Sequence, residues 1–211
     1  MARGRPAIWS ALFGVFFLSS GAYAYFGQHN APQGIGVPFM LFGTFIIAVG
    51  IYIEYVAAPD EPEMDENEKI IDTRSPVQRA AIAKMGIGSV LLGIFIYLIL
   101  FTLLPYIYPI AALIPGLYLF STGLFAYWTN TLTTYYITTQ RFIKEYRFIS
   151  LVRQELRLDK VRGVEERKSI WEALVGLGNV QVSSGGGRAL QVKAKNIFKS
   201  TTFADEIREL L

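Results

Sequence analysis

The sequence predicts an α-helical transmembrane protein of four helices followed by a small β-rich domain that a C-terminal helix closes. Three observations predict it. No Asp, Glu, Lys or Arg occurs from Pro6 to Ile53 or from Met85 to Gln140, windows of 48 and 56 residues. A helix crosses a bilayer with about 20 apolar residues, so each window holds two crossings. Only 18% of the 211 residues are charged, against about a quarter in soluble domains. From residue 129 onward charge returns and apolar residues alternate with polar ones, the period of strands. A soluble protein, a purely peripheral one and an intrinsically disordered chain are excluded.

The first crossing runs from Ala7 to Phe26, after Arg3 and Arg5. Two bases before an apolar run also describe a signal peptide, and Ala22 and Ala24 form an A-x-A-like site. The run is long for a signal peptide, which favours a retained anchor. The second crossing runs from Ile35 to Tyr52, the third from Met85 to Leu104 and the fourth from Tyr106 to Trp128. The loop Gly27–Gly34 and the turn Pro105–Pro109 carry no Lys or Arg. All the bases fall on the other side: Arg3, Arg5, Lys69, Arg74, Arg79, Lys84 and those after Gln140. Basic loops stay in the cytoplasm, so both termini and the C-terminal domain are expected there. Trp9, Tyr106, Tyr108, Tyr127 and Trp128 fall near helix ends, as interfacial aromatic belts do.

Each crossing holds glycines seven apart: Gly14 and Gly21, Gly43 and Gly50, Gly86 and Gly93, Gly116 and Gly123. Seven residues are two turns, so each pair shares a face, and small residues let membrane helices approach closely. All eight are candidate packing seams. Ionisable groups are missing from the interior of the crossings, which argues against ion-coupled transport.

Residues 58–84 form an acidic connection around Asp60, Glu61, Glu63, Asp65, Glu66 and Glu68. Ile70 and Ile71, followed by Arg74-Ser75-Pro76, mark a short ordered stretch. The organisation is therefore a helical hairpin (1–57), the connection (58–84), a second hairpin (85–128) and a domain (129–211). That last stretch has fourteen bases and nine acids. Its strand candidates are Thr133–Thr139, Phe142–Phe148, Val152–Leu158, Val180–Ser184 and Leu190–Ala194, the last two joined by Gly185-Gly186-Gly187. Thr202–Leu211 closes the chain as an amphipathic helix with Phe203, Ile207 and Leu210 on one face.

The segments YYITTQRFI (Tyr135–Ile143), LRLDKVRGVE (Leu156–Glu165) and SIWEALVGLGNVQVSSGG (Ser169–Gly186) resemble the membrane-anchored bacterial Pleckstrin-homology family, the YdbS-like proteins. Upstream, Glu68-Lys69-Ile70-Ile71 and Ser75-Pro76 resemble the glutamate-led strand and proline that precede that family's two-helix hairpin. The resemblance covers roughly residues 66–211 and leaves the first two helices outside it. It implies a Pleckstrin-homology-like barrel beside the membrane, closed by the C-terminal helix, without catalysis. Oligomerisation and envelope-stress roles are suggested for relatives.

Chemistry-bearing motifs are sparse. There is no cysteine, so thiolate metal sites and nucleophiles are absent, and His29 is the sole histidine. No catalytic or metal constellation emerges, and no cofactor is expected. Gly176-Leu177-Gly178 precedes a strand and has Gln181 where a dinucleotide loop needs its third glycine, so it reads as a turn. Arg141, Lys144 and Arg147 follow the fourth helix and are the candidate lipid-headgroup residues. In a strand Arg141 and Arg147 share a face and Lys144 takes the other. The acidic stretch from Asp60 to Glu68 competes with lipid for this basic surface. The expected function is a non-enzymatic integral membrane protein presenting a module for protein binding or self-assembly. Its expected partners are membrane lipids, a second copy or a membrane protein, and not nucleic acid. A small transporter, channel or accessory subunit is the alternative.

Overall fold

The computed structural model describes residues 5–27, 32–57, 62–64, 68–169, 176–185 and 191–211. His29 and the turn glycines Gly186 and Gly187 lie outside the described residues. The chain forms two compact units, Met1–Ala58 with Gln78–Trp128 and Pro59–Val77 with Thr129–Leu211.

The helical unit holds α1 (Pro6–Phe26), α2 (Gly36–Tyr55), α3 (Arg79–Phe101) and α4 (Ile107–Thr131). All four are long and apolar enough to cross a membrane. Each helix is apolar all round, so hydropathy does not select the packed face; size does. A Cβ on Gly43 would stand 2.6 Å from the Gly14 carbonyl oxygen, and one on Gly14 would stand 2.8 Å from that of Gly43. Gly21 and Gly36 meet in the same reciprocal way one heptad on, and Gly50 faces Ser10. The α1–α2 contact is thus backbone on backbone. At its open end Glu54 of α2 accepts a hydrogen bond from the Ala7 N–H at 2.8 Å, placing a carboxylate at the positive end of α1.

The second hairpin uses different glycines. Gly86 and Gly93 have open space where a Cβ would go. Gly88 makes the close approach instead, 2.5 Å from the Phe120 backbone nitrogen, while Gly116 and Gly123 face Leu91 and Met85. The heptad reading of α3 therefore picks the wrong face: Gly86 and Gly93 share one, and Gly88 lies two residues round the helix, about 200° away. Phe17 sits at the centre of the unit, its ring edge-on to Phe42 and Phe120 at 4.9 and 5.0 Å.

The β unit contains β1 (Ile70–Arg74), β2 (Thr133–Thr138), β3 (Arg141–Arg147), β4 (Leu151–Arg157), β5 (Val161–Arg167), β6 (Leu177–Ser184), β7 (Gln191–Phe198) and the helix α5 (Ser200–Glu209). The strands form two antiparallel sheets, ordered β1-β2-β3-β4 and β5-β6-β7. No ladder joins them among the described residues, so the expected closed barrel is instead two separate sheets around one core. The chain leaves the first sheet at a 3-10 turn, Leu158–Lys160, which the Leu158 N–H ties to the Gln140 carbonyl. The core joins Tyr135, Phe142, Leu156, Val182, Ile197 and α5's Phe203 with their neighbours. Phe203 and Ile207 are one helical turn apart and both fully buried, which fixes α5 by its apolar face.

Two strands escape the sequence pattern. In β5 the register shifts between Val161 and Gly163, and that bulge breaks the two-residue period. The other, β1, lies within the segment read as an acidic connection. It pairs antiparallel with β2, Arg74 opposite Tyr135 and Thr73 opposite Tyr136. The compact β unit accordingly takes in residues 59–77 as well as 129–211. The helical pair α3–α4 is inserted between two neighbouring strands of one sheet.

Candidate functional site

The face of the first sheet turned away from the apolar core carries a chain of alternating charge. In β3 the core-side residues are Phe142, Lys144 and Tyr146, which leaves Arg141, Ile143, Glu145 and Arg147 on the other face. Arg141 grips Glu68 with a two-pronged fork, Nε to Oε1 at 2.9 Å and Nη2 to Oε2 at 2.7 Å. Its Nη1 donates to Glu155 at 2.6 Å and its Nη2 to the Glu63 carbonyl at 3.1 Å. The Thr138 hydroxyl donates to Glu68 at 2.5 Å and accepts the Arg141 backbone N–H at 2.9 Å. Arg153 continues the chain, 3.9 Å from Glu155 and 3.6 Å from Glu145. Glu68 and Glu145 are buried, with side-chain exposures of 0% and 2%.

Glu68 is the strongest influence on Arg141: its hydrogen bonds raise the guanidinium pKa, burial opposes them, and Glu155 adds to the rise. A fork satisfied this way is a lock between the segment before β1 and the turn after β2. Lys144 lies on the opposite face, its pKa lowered by burial and then by the nearby charge of Lys195. Arg147 is half-buried, and its backbone N–H donates to the Leu132 carbonyl at 3.3 Å. The three candidate headgroup bases are not brought together. Arg141 and Arg147 stand at opposite ends of β3, about 20 Å apart, and Lys144 points the other way. The charge premise changes too: the −5 of residues 59–77 cancels the +5 of residues 129–211.

Two further clusters hold α5. Arg74 on β1 pairs with Asp72 and reaches Glu206 at 3.4 Å, its guanidinium 6.0 Å from the Phe203 ring. Burial and the Asp72 charge raise the Glu206 pKa, partly offset by Arg74. On β5, Glu166 accepts the Ser200 hydroxyl at 2.6 Å and pairs with Lys168 at 2.9 Å. In the helical unit an apolar groove of about 430 Å³ runs between the helices, lined among others by Phe17, Phe39, Phe42, Leu92, Leu117 and Ser121. Among the described residues no three His, Cys, Asp or Glu side chains group where they could hold a metal ion.

Sequence reasoning expects the acidic stretch from Asp60 to Glu68 to compete for the basic surface, and Glu68 does hold Arg141. It does not find the particular Glu68–Arg141–Glu155 chain, whose members are far apart in sequence. The signal was β1 itself. Once Ile70 is paired with Thr138, Glu68 falls beside the β2–β3 turn.

Two antiparallel sheets of four and three strands, one apolar core and a closing C-terminal helix define a Pleckstrin-homology-like module. The chain matches the bacterial PH domain family over residues 77–211 and belongs to it. No curated protein and no solved structure matches it. The matched region starts after β1, so the first strand of the sheet lies upstream of it.

Proposed function

We propose that this protein is a non-enzymatic integral membrane protein that presents its PH-like module on the cytoplasmic side for protein binding or self-assembly. The observation that carries the reading is the insertion of α3 and α4 between β1 and β2. A module built around a membrane hairpin is held at the bilayer through two adjacent strands. It is a fixed platform, not a soluble domain recruited by a lipid signal. Confinement to a surface raises the effective concentration of any partner held there. The satisfied Arg141 fork supports the same reading, because the base best placed for a headgroup is spent on internal order.

The cytoplasmic orientation rests on the distribution of Lys and Arg. The partners of this reading are surrounding lipids, a second copy or another membrane protein. Nucleic acid is not among them, since its binding draws on an excess of basic contacts and the β unit's charges cancel. The alternative, a small transporter, channel or accessory subunit, has one specific support in the helical groove. That lining carries no ionisable group, the usual requirement of ion coupling.

The test is crosslinking in native membranes followed by gel separation. Discrete multiples of one chain are expected; co-migration with a larger complex transfers the protein to the accessory-subunit reading. Orientation is read on this cysteine-free chain with single cysteines and an impermeant maleimide in intact cells. Labelling at Gln28 and none at Ser184 is expected, and the reverse refutes the cytoplasmic assignment.

A further inference from the structure

The turn between β3 and β4 gathers exposed apolar side chains at one hairpin tip. Ile149 is 85% exposed, Leu151 50% and Val152 47%, all within one hairpin tip. Large apolar side chains clustered in the open mark a contact surface. Val152 keeps the strand parity of Leu156 yet lies outside the core that buries Leu156. The sequence from Phe148 to Val152 has no acid and is bounded by Arg147 and Arg153.

The position of the tip says what it meets. The last turn of α4, Thr129–Thr131, belongs to the β unit, and the Thr133 hydroxyl bonds back to the Thr129 carbonyl at 2.7 Å. β2 leaves from there, and β3 returns to the same end: Tyr146 stands opposite Thr133, and the Arg147 N–H reaches the Leu132 carbonyl. Two residues further, about 7 Å at strand rise, the chain turns at Ile149. The most exposed apolar tip of the module therefore lies beside the point where α4 ends. The polar turn at Gln140 occupies the opposite end of the same strands.

We propose that the β3–β4 tip, Ile149 with Leu151 and Val152, is a membrane-inserting loop that seats in the headgroup and acyl boundary next to α4. The occupant is the bilayer, because the tip is carried to the end of a bilayer-crossing helix and runs from Phe148 to Val152 without an acid. The loop gives the module a third attachment besides its links to α3 and α4. This inference rests on the reading of α4 as a membrane helix, and its test separates the two.

Single cysteines at Ile149, Gln140 and the lipid-facing α4 residue Phe125, 68% exposed, are labelled with an environment-sensitive fluorophore. The full chain is then reconstituted in vesicles containing lipids brominated high on the acyl chain. Ile149→Cys replaces a side chain already in the open, so the fold is not at stake. Insertion to about 5–10 Å quenches most of the emission at 149 and at 125 and leaves 140 bright. Quenching at 125 without quenching at 149 overturns the tip and keeps the membrane helix. An unquenched 125 removes the bilayer from α4 and overturns both. Equal quenching at 149 and 140 refutes insertion by the tip, and a blue shift at 149 without quenching assigns the tip to a protein contact instead.

Discussion

The helical unit and the β unit decide which side chains are inside by different physics. In α1 the buried Phe17 and the exposed Val15 are both apolar, as are Leu92 and Val90 in α3. Lipid is as apolar as a helix interior, so no hydrophobic difference picks the inner face. Closeness picks it: Gly14 on Gly43, Gly21 on Gly36, Gly88 on Phe120. In β6 the choice follows polarity. Val180 and Val182 are fully buried and Gln181 between them is not. One chain thus holds an interior defined by size and an interior defined by affinity for water. Where charges are buried in the second, as on the outer face of its first sheet, they are paired.

The largest effect should come from that pairing. Arg141→Ala leaves the enclosed Glu68 carboxylate without its counter-charge, and breaking a buried pair costs about 3–5 kcal/mol. Thermal unfolding of the full chain in detergent should fall well below the parent. Arg141→Ala with Glu68→Gln should recover part of the loss, because the stranded charge is gone. An unchanged midpoint in the single variant would remove the lock. The size rule is tested by Gly43→Leu against Gly93→Leu. Forcing a side chain against the Gly14 backbone should cost about 1–3 kcal/mol, while position 93 has room and should be nearly silent. Equal loss at both positions would show that the α3 face is chosen by something other than size.

The same contrast explains what could be read without coordinates. Hydropathy located all four helices, since crossing length is a composition signal, but it is blind to rotation about the axis. Gly86 and Gly93 satisfy the heptad as well as Gly14 and Gly21 do, and only the position of α4 distinguishes them. β-branched and aromatic enrichment located β2, alternation located β4 and less cleanly β3, and the glycine turn marked β6 and β7, each within about four residues. Alternation failed at β5, where a bulge resets parity, and it did not assign β1 to a sheet. β1 is five residues long with both isoleucines exposed, and its partner lies across two helices. The basic triad was a candidate because Arg141, Lys144 and Arg147 follow the fourth helix. Strand parity already put Lys144 on the other face, and the acidic stretch was already a competitor. What needed coordinates was that Glu68 is the acid of that stretch that claims Arg141.

A smaller effect probes the water-side interior at a single polar atom. The buried Tyr135 hydroxyl accepts the Lys195 backbone N–H at 3.1 Å, and burial raises its pKa. Tyr135→Phe keeps the ring stacked on Phe142 and deletes this bond, at a cost of about 1 kcal/mol. A midpoint indistinguishable from the parent would mean that the Lys195 amide finds water in its place.

The smallest expected effect is a pH dependence confined to α5. Burial alone would raise the Glu166 carboxyl, but hydrogen bonds from Ser200, Lys168 and Thr201 outweigh it and hold its pKa below the ordinary value. The charged form is therefore favoured by folding. Its contribution is full above the unfolded-state pKa, about 4.3, and is lost as pH falls through the lower folded-state value. Glu206 has the opposite sign: its raised pKa stabilises the fold below the unfolded-state value and is lost as pH rises through the folded one. A whole-chain midpoint mixes the two, whereas comparing the parent with Glu166→Gln cancels Glu206. Hydrogen exchange at the first turn of α5 should be faster in Glu166→Gln near pH 7, by an amount worth about 1 kcal/mol or less for a partly exposed pair. The two proteins should converge as pH falls below the lowered pKa. A difference that persists in acid would assign the effect to shape and not to the charge, and would leave polarity, rather than ionisation, holding α5 to β5.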